Sequence, residues 1–341
     1  MTLSRRRLVI GLGTAAIAGS LGLGASLSQR PKSTVFAWRF GHGFPADHPI
    51  HSHAVAAATK IREETGGKVD IGVYPNSQLG GDVDLLSQVR SGGIEMFSTG
   101  GVILSSLLPV AALSGIGFIF DDYRGVWSAM DGKVGHYIRT AFERVGLHPL
   151  ERIWDNGFRQ ITCSSRPIET PQDLQGLKIR VPASPLYVSL FRALRSAPAS
   201  INLAEVYTSL QTRVVEAQEN PLIVTNTAKF YEVQRYCSLT SHMWDGSWMI
   251  VNSDAWAAMP GELQEVVARH FNDTALAQRR DVAQLNGSLQ QTLSDKGVIF
   301  NKPPTEPFRD FLREVGFYES WQKRLGAEAW DTLEAAVGRL I

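Results

Sequence analysis

The stretch Val69-Asp70-Ile71-Gly72-Val73-Tyr74 sets Val69, Ile71 and Val73 against Asp70, Gly72 and Tyr74 with a period of two, the pattern of a strand with one buried face. Working outward, Ile50 to Glu64 reads as a helix, with Asp47 near its start and Gly66-Gly67 closing it. On the other side Pro75-Asn76 marks a turn, Gly81 to Val89 reads as a second helix and Ile94 to Ser98 as another strand. Strand–helix–strand units of this length build mostly parallel sheets, so the fold class is α/β.

A second run of the same kind follows. Strands are expected at Glu151 to Trp154, Gln160 to Cys163, Leu177 to Val181 and Val214 to Gln218, with helices at Pro185 to Leu194 and Glu205 to Gln211. Beyond them Leu263, Val267, Phe271, Ala275, Val282, Leu285, Leu289 and Leu293 recur at spacings of three, four and seven from Pro260 to about Lys296. That spacing predicts one amphipathic helix. At about 1.5 Å per residue it would exceed roughly 50 Å, more than one small domain covers, and so it is expected to run across two.

The chain has 341 residues, enough for two domains with separate cores, and its 44% hydrophobic and 20% charged residues are ordinary for a globular protein. Its formal charge is +1, but the first thirty residues carry Arg5, Arg6, Arg7 and Arg30 and no acid, so removing them leaves −3. A chain so near neutrality has no global basic field, which argues against nucleic acid as a partner. The segment Ser4-Arg5-Arg6-Arg7-Leu8-Val9, followed by an apolar, Gly/Ala-rich stretch from Ile10 to about Leu27, has the layout of a twin-arginine export signal over residues 1–30. The stretch is too weakly hydrophobic for a permanent anchor, so the rest of the chain is expected in the periplasm. Cys163 and Cys237 belong to no CxxC pair or zinc-type ligand set. Two readings of them stand, a bridge in an oxidising compartment or two buried thiols, and the usual burial of free Cys favours the second.

The middle of the chain carries a specific resemblance. Asn156-Gly157-Phe158-Arg159, Arg166-Pro167-Ile168 and the run from Pro171 through Asp173-Leu174, Gly176-Leu177-Lys178-Ile179-Arg180-Val181-Pro182 form its core. Glu205-Val206-Tyr207, Leu210-Gln211-Thr212, Gln218-Glu219-Asn220-Pro221 and Lys229-Phe230-Tyr231-Glu232-Val233 extend it. Upstream, Gly41-His42, His48-Pro49, Thr65-Gly66-Gly67-Lys68 and Pro75-Asn76-Ser77-Gln78-Leu79-Gly80 also fit. Together these resemble the DctP family, the solute-binding proteins of tripartite ATP-independent periplasmic (TRAP) transporters. Arg213 and Glu216-Ala217 depart from the family pattern and affect only the local loop.

The resemblance implies a two-lobed, Venus-flytrap fold of periplasmic-binding-protein type, with a long helix spanning both lobes and a cleft that closes by a hinge. The implied lobes are 34–156 with about 246–280, and 157–245 with about 281–310, followed by a helical segment at 311–341. It also implies capture of a small organic acid and delivery to two integral membrane subunits. Arg180 would pair with the ligand carboxylate, assisted by Arg159 and Asn220. The chemistry suits that role: a carboxylate taken out of water needs charge-assisted hydrogen bonds, and the planar guanidinium fork matches both of its oxygens. In a strand Ile179 and Val181 face one way and Lys178 and Arg180 the other, so the apolar pair can anchor while Arg180 meets the cleft. Thr99, Gly100 and Leu203 fall where the family lines its cleft, and Gly100, lacking a side chain, leaves room for a larger ligand. Trp154, Trp244 and Trp248 offer aromatic faces to cover an apolar part, although each is also a natural core residue.

Other chemistries find less support. His42, His48, His51 and His53 fall within twelve residues, but His51 and His53 project from different faces of the predicted helix and His48 sits in the extended segment before Pro49. No metal site and no cofactor are expected, apart from a cation that some family members bind beside the ligand, for which Asp245 or Glu219 would supply oxygen. No G-x-S-x-G, H-E-x-x-H, Walker A or dinucleotide-glycine motif is present, and Glu216 and Glu219 lie on opposite faces of an extended segment. An exported enzyme acting on organic acids is thus disfavoured. A carboxylate receptor serving a signalling partner is the alternative that the sequence leaves open.

Overall fold

Ten strands of the computed structural model, which describes residues 34–341, join in one sheet. They are β1 (Phe36–His42), β2 (Val69–Tyr74), β3 (Met96–Gly100), β4 (Leu147–Pro149), β5 (Trp154–Cys163), β6 (Lys178–Val181), β7 (Ala197–Ser200), β8 (Ala217–Pro221), β9 (Tyr236–Asn252) and β10 (Ile299–Asn301). The order is β2-β1-β3-β9-β5-β8-β6-β7, with β4 and β10 both paired to β9. The predicted export signal lies outside the described residues.

Two similar units occupy the ends of this sheet. In the first, β1, helix Pro49–Glu64, β2, helix Asp82–Ser91 and β3 follow one another, and β1 pairs in parallel with both β2 and β3. In the second, β6, helix Pro185–Ala193, β7, helix Leu203–Gln211 and β8 repeat the arrangement, with β6 parallel to β7 and β8. The mixed α/β class and its parallel units are those the sequence predicts. Antiparallel β5 and β9 join the units, β9 pairing with β3 on one side and β5 with β8 on the other.

Several expectations need correction. Residues 151–153 precede any strand, and Trp154 and the strand predicted at 160–163 belong to one strand, β5, whose residues Asp155, Asn156 and Arg159 are polar yet buried. The strand predicted at 214–218 starts three residues later, at Ala217. Val214 is 62% exposed in the preceding turn, whereas Gln218, Glu219 and Asn220 are buried in β8. β9, 17 residues long, was not predicted at all. It is buried on both faces along most of its length, so no alternation of apolar and polar residues marks it.

The predicted long helix is Gly261–Asp295, 35 residues and therefore roughly 50 Å. Its Leu263, Val267, Phe271 and Ala275 pack with Trp38, Phe40 and Ile61 around the first unit. Val282 and Leu289 join Val206, Leu210 and Ile223 around the second. Polar side chains fix it to β5: Gln278 Nε2 donates to the Asp155 carbonyl at 2.6 Å, and Gln278 Oε1 accepts from the Asp155 N–H at 2.9 Å. Helices Glu306–Glu314, Phe317–Leu325 and Ala327–Val337 close the chain, burying Leu312, Trp321 and Trp330 in the largest core cluster. Cys163 belongs to that cluster, whereas Cys237, opposite Thr162, packs with Leu293 and Val298 in another. The two buried thiols are thus packed in separate places and form no bridge.

In the β5–β9 pair Asp155 faces Gly246 and Gly157 faces Asp245, leaving Asn156 as an extra residue in a bulge. Gly157 has φ +106°, and a Cβ on Gly246 would come within 2.1 Å of the Trp244 ring and 2.6 Å of Ile153. Gly246→Ala is therefore expected to overpack this junction and cost about 1–3 kcal/mol in urea unfolding. Gly261→Ala, where a Cβ meets nothing within 4 Å, should leave stability nearly unchanged.

Candidate functional site

The parallel strands of both units end at one small cavity. Gly43 and Phe44 follow β1, Thr99 and Gly100 end β3, Arg180 and Pro182 end β6, Leu203 opens the helix after β7, and Asn220 lies in β8. Asp82 at the start of helix Asp82–Ser91, with Asn156, Arg159 and Asp245 from β5 and β9, completes the polar wall. Sites outside the carboxyl ends of parallel strands are the rule for open α/β sheets. The cavity is about 40 Å³ and shares Gly43 and Leu203 with a hollow of about 510 Å³ beside Tyr207 and Phe230.

Two guanidinium groups face this cavity in opposite states. Arg159 is heavily engaged. Its Nε donates to Glu219 Oε2 at 2.5 Å and its Nη1 to Asp245 Oδ2 at 2.6 Å. Its Nη2 donates to Glu219 Oε1 at 2.8 Å, the Glu219 carbonyl at 2.7 Å and Asn220 Oδ1 at 3.1 Å. Burial works against the Arg159 cation, but Glu219, Tyr187 and Asp245 more than offset it and hold its pKa above the usual arginine range. Arg180, 2% exposed, makes one hydrogen bond, from Nε to the Ile201 carbonyl at 2.8 Å. Its two terminal nitrogens have no hydrogen-bond or ion-pair partner among the described residues. Burial pushes its pKa down to about 10, with Glu219 opposing and Arg159 adding to the fall.

The acids are arranged around these cations. Glu219 accepts from Arg159 and also meets His242 Nε2 at 3.1 Å. Asp245 Oδ2 takes Arg159 and, at 3.1 Å, Asn156 Nδ2, while its Oδ1 points over Gly100. Burial pushes the Asp82 carboxyl up to about 6, with Arg180 and Thr99 opposing and Asp245 adding to the rise. The helix start next to Asp82 is capped by Asp84, which accepts from the Gly81 N–H at 3.2 Å, so that task does not occupy Asp82.

Of the residues singled out in the sequence, Arg180, Arg159, Asn220, Leu203, Thr99 and Gly100 line the cavity. Trp154 and Trp244 do not: Trp154 packs on Phe271, and Trp244 packs on Phe120 and Trp127 while its Nε1 donates to Asp155 at 2.9 Å. Trp248 is likewise core, against Phe142. In each case burial of a large aromatic surface outweighs any place at the cleft. Gly100 leaves no space for a larger ligand, because a Cβ there would lie 2.4 Å from Asp245 Oδ1. The carboxylate fills that place. Asn220 reaches the cavity, but its amide is engaged, with Nδ2 donating to Gln218 Oε1 at 2.5 Å. Both proposed cation ligands, Glu219 and Asp245, are bound to Arg159. The four histidines diverge: His42 Nε2 meets His51 Nδ1 at 3.1 Å, His53 pairs with Asp281 at 2.8 Å, and His48 stacks on Phe44. Asp82, Asn156 and Phe44 were missed as cavity residues. Asn156 had the one available signal, as first residue of the Asn156-Gly157-Phe158-Arg159 motif.

The cavity thus lies between two α/β units, with one open cation at its wall among the described residues. Comparisons with known proteins fit that arrangement. The sequence profile described as bacterial extracellular solute-binding protein, family 7 (DctP) matches residues 40–321. The chain is 34% identical over 260 residues to the 2,3-diketo-L-gulonate-binding periplasmic protein YiaO of Escherichia coli, covering 76% of this chain and 79% of that one. A sugar acid binding protein from Advenella mimigardefordensis, solved with galactonate, superposes with TM-score 0.85 at 26% identity over 90% of this chain and 99% of its own. A TRAP periplasmic solute binding protein from Sulfurospirillum deleyianum, solved with succinate, gives TM-score 0.83 at 26% identity over 89% and 99%. The protein belongs to the DctP family of TRAP periplasmic solute-binding proteins.

Two properties of the wall can be measured. Glu219→Ala removes the main partner of a buried guanidinium and is expected to cost about 3–5 kcal/mol of stability in urea unfolding. His48 is fully buried, accepts from the Ile50 N–H through Nδ1 at 3.2 Å, and has its pKa lowered to about 3 by burial and by His42. Its unfolded value is near 6.5. Below that pH the unfolded chain takes up a proton that the folded one refuses, so stability present above pH 6.5 is lost as the pH falls towards 3. His48→Asn, which keeps a helix-capping side chain, should make the acid limb of a stability–pH curve shallower by up to about 1.4 kcal/mol per pH unit.

Proposed function

We propose that this cavity captures one small organic acid and that Arg180 receives its carboxylate. The observation that carries the reading is the buried Arg180 fork, held by Ile201 through Nε alone with both terminal nitrogens open to the cavity. A desolvated cation without a partner is costly, and a bidentate carboxylate is the group that best completes it. Arg159 and Asn220 assist by holding Glu219, Gln218 and Asp245 in place, not by binding the ligand directly. The relatives named for a sugar acid and crystallised with galactonate and succinate support an organic acid as the cargo.

A space of about 40 Å³ is room for a few waters, so uptake of an acid requires the walls to part and close again. The lobes that move would be 34–156 with about 246–280 and 157–245 with about 281–310, hinged where Gly157 and Gly246 face their partners in the β5–β9 pair. The loaded form then docks on two TRAP membrane subunits, after export through the twin-arginine signal. Binding uses no cofactor, and the protein carries out no catalysis on its cargo. Engagement of Glu219 and Asp245 by Arg159 supports capture without a companion cation.

Arg180→Ala is expected to lose about 3–5 kcal/mol of affinity in calorimetry against whichever acid binds the wild type, while its unfolding midpoint holds or rises because an unpartnered buried charge has gone. Retained tight binding would remove Arg180 from the role.

A further inference from the structure

We infer that the cavity selects acids with a single carboxylate and a hydroxylated body, and discriminates against dicarboxylates. This rests on the reading of Arg180 above and names the class of acid it serves.

The argument is one of donors and acceptors. Arg159 and Arg180 are the only cationic side chains that line the cavity among the described residues. Arg159 has already placed its hydrogen bonds on Glu219, Asp245 and Asn220. One open cation remains, enough for one carboxylate. The rest of the polar wall mainly accepts. Asp245 Oδ1 has no hydrogen-bond partner among the described residues, and Asp82, which interacts with the Thr99 hydroxyl, makes no ion pair there. Asn156 Oδ1 is buried and makes no hydrogen bond of ordinary length among the described residues, although His48 lies near enough to interact with the Asn156 side chain. Its orientation is set by chemistry, because Nδ2 must face Asp245, a carboxylate that only accepts.

A second carboxylate on the ligand would therefore lose its water, find no cation and lie against Asp82 and Asp245. Both effects disfavour it. Hydroxyl groups suit the same wall, since each brings a donor to oxygens that have lone pairs to spare. The three acceptors come from different elements: helix Asp82–Ser91, β5 and β9. That spread fits several hydroxyls along a carbon chain better than the single ammonium of an amino acid. Phe44, Val102, Ile103 and Leu203 supply apolar surface for the C–H faces between them.

The test is calorimetry near neutral pH with four sets of acids of matched chain length. They are aldonates and uronates, linear dicarboxylates such as succinate and adipate, unsubstituted monocarboxylates such as hexanoate, and neutral amino acids. The tightest binder is expected among the aldonates and uronates, at least tenfold ahead of the matched dicarboxylate and of the unsubstituted acid. Asp82→Asn should shrink the first ratio at least fivefold, by weakening the hydroxy acid and admitting the dicarboxylate. A dicarboxylate, an unsubstituted acid or an amino acid as tightest ligand would overturn the inference while leaving the Arg180 reading intact, as would an unchanged ratio in a folded Asp82→Asn. If that variant does not fold, the wild-type ranking decides. Absence of binding by any acid would instead overturn the Arg180 reading itself.

Discussion

The buried ion cluster of Arg159, Glu219 and Asp245 is the constraint on which the rest of the site depends. It ties together three adjacent strands, with the guanidinium on β5 and the carboxylates on β8 and β9. Buried charges survive only where each is paired and hydrogen-bonded. Here the fork of Arg159 takes both oxygens of Glu219 and one of Asp245, and the Glu219 carboxyl is held below its usual range despite full burial. With one arginine so occupied, the second is left with a single carbonyl contact and an open face. The difference between an engaged cation and an open one is set by what lies around each, since both are buried side chains of the same type.

Two of the three strands that carry this cluster, β5 and β9, also join the two α/β units. β9 is hydrogen-bonded to β3 of the first unit, to β4 and, through β5, to β8 of the second unit. The bulge at Asn156 and the glycines at 157 and 246 interrupt this pairing beside the cavity. Such interruptions re-aim side chains, and Asn156 is turned to the cavity wall as a result. The long helix Gly261–Asp295 backs the junction, with its Gln278 amide satisfying the Asp155 backbone where no strand can. A rigid frame of hydrogen bonds thus stands behind a small cavity whose walls come from two separate units.

Much of the fold was legible because it follows local periodicity. The alternation at 69–74, the three- and four-residue spacing from Leu263 to Leu293 and the alternation of Ile179 and Val181 with Arg180 each report which side is buried. β5 and β8 were misplaced because their buried positions hold Asp155, Asn156, Arg159, Gln218, Glu219 and Asn220, residues that count as surface until their partners are known. β9 escaped because burial on both faces leaves no alternation. The tryptophans failed in the opposite sense, since an indole suits a cleft and a core equally well in sequence.

By itself, then, the sequence determined the α/β class, the long bridging helix, the family and the place of Arg180 at the end of a strand. These depend on patterns within a few turns of chain or on a motif that can be compared residue by residue. Only the tertiary structure decided that Arg159 is engaged by two carboxylates while Arg180 is open, that Asp245 occupies the space above Gly100, and that Asp82 and Asn156 belong to the wall. Those outcomes turn on contacts between residues 60 or more positions apart, such as Arg159 with Glu219 and Asn156 with Asp245. Electrostatic pairing is a property of distance in space, and the chain order carries no record of it.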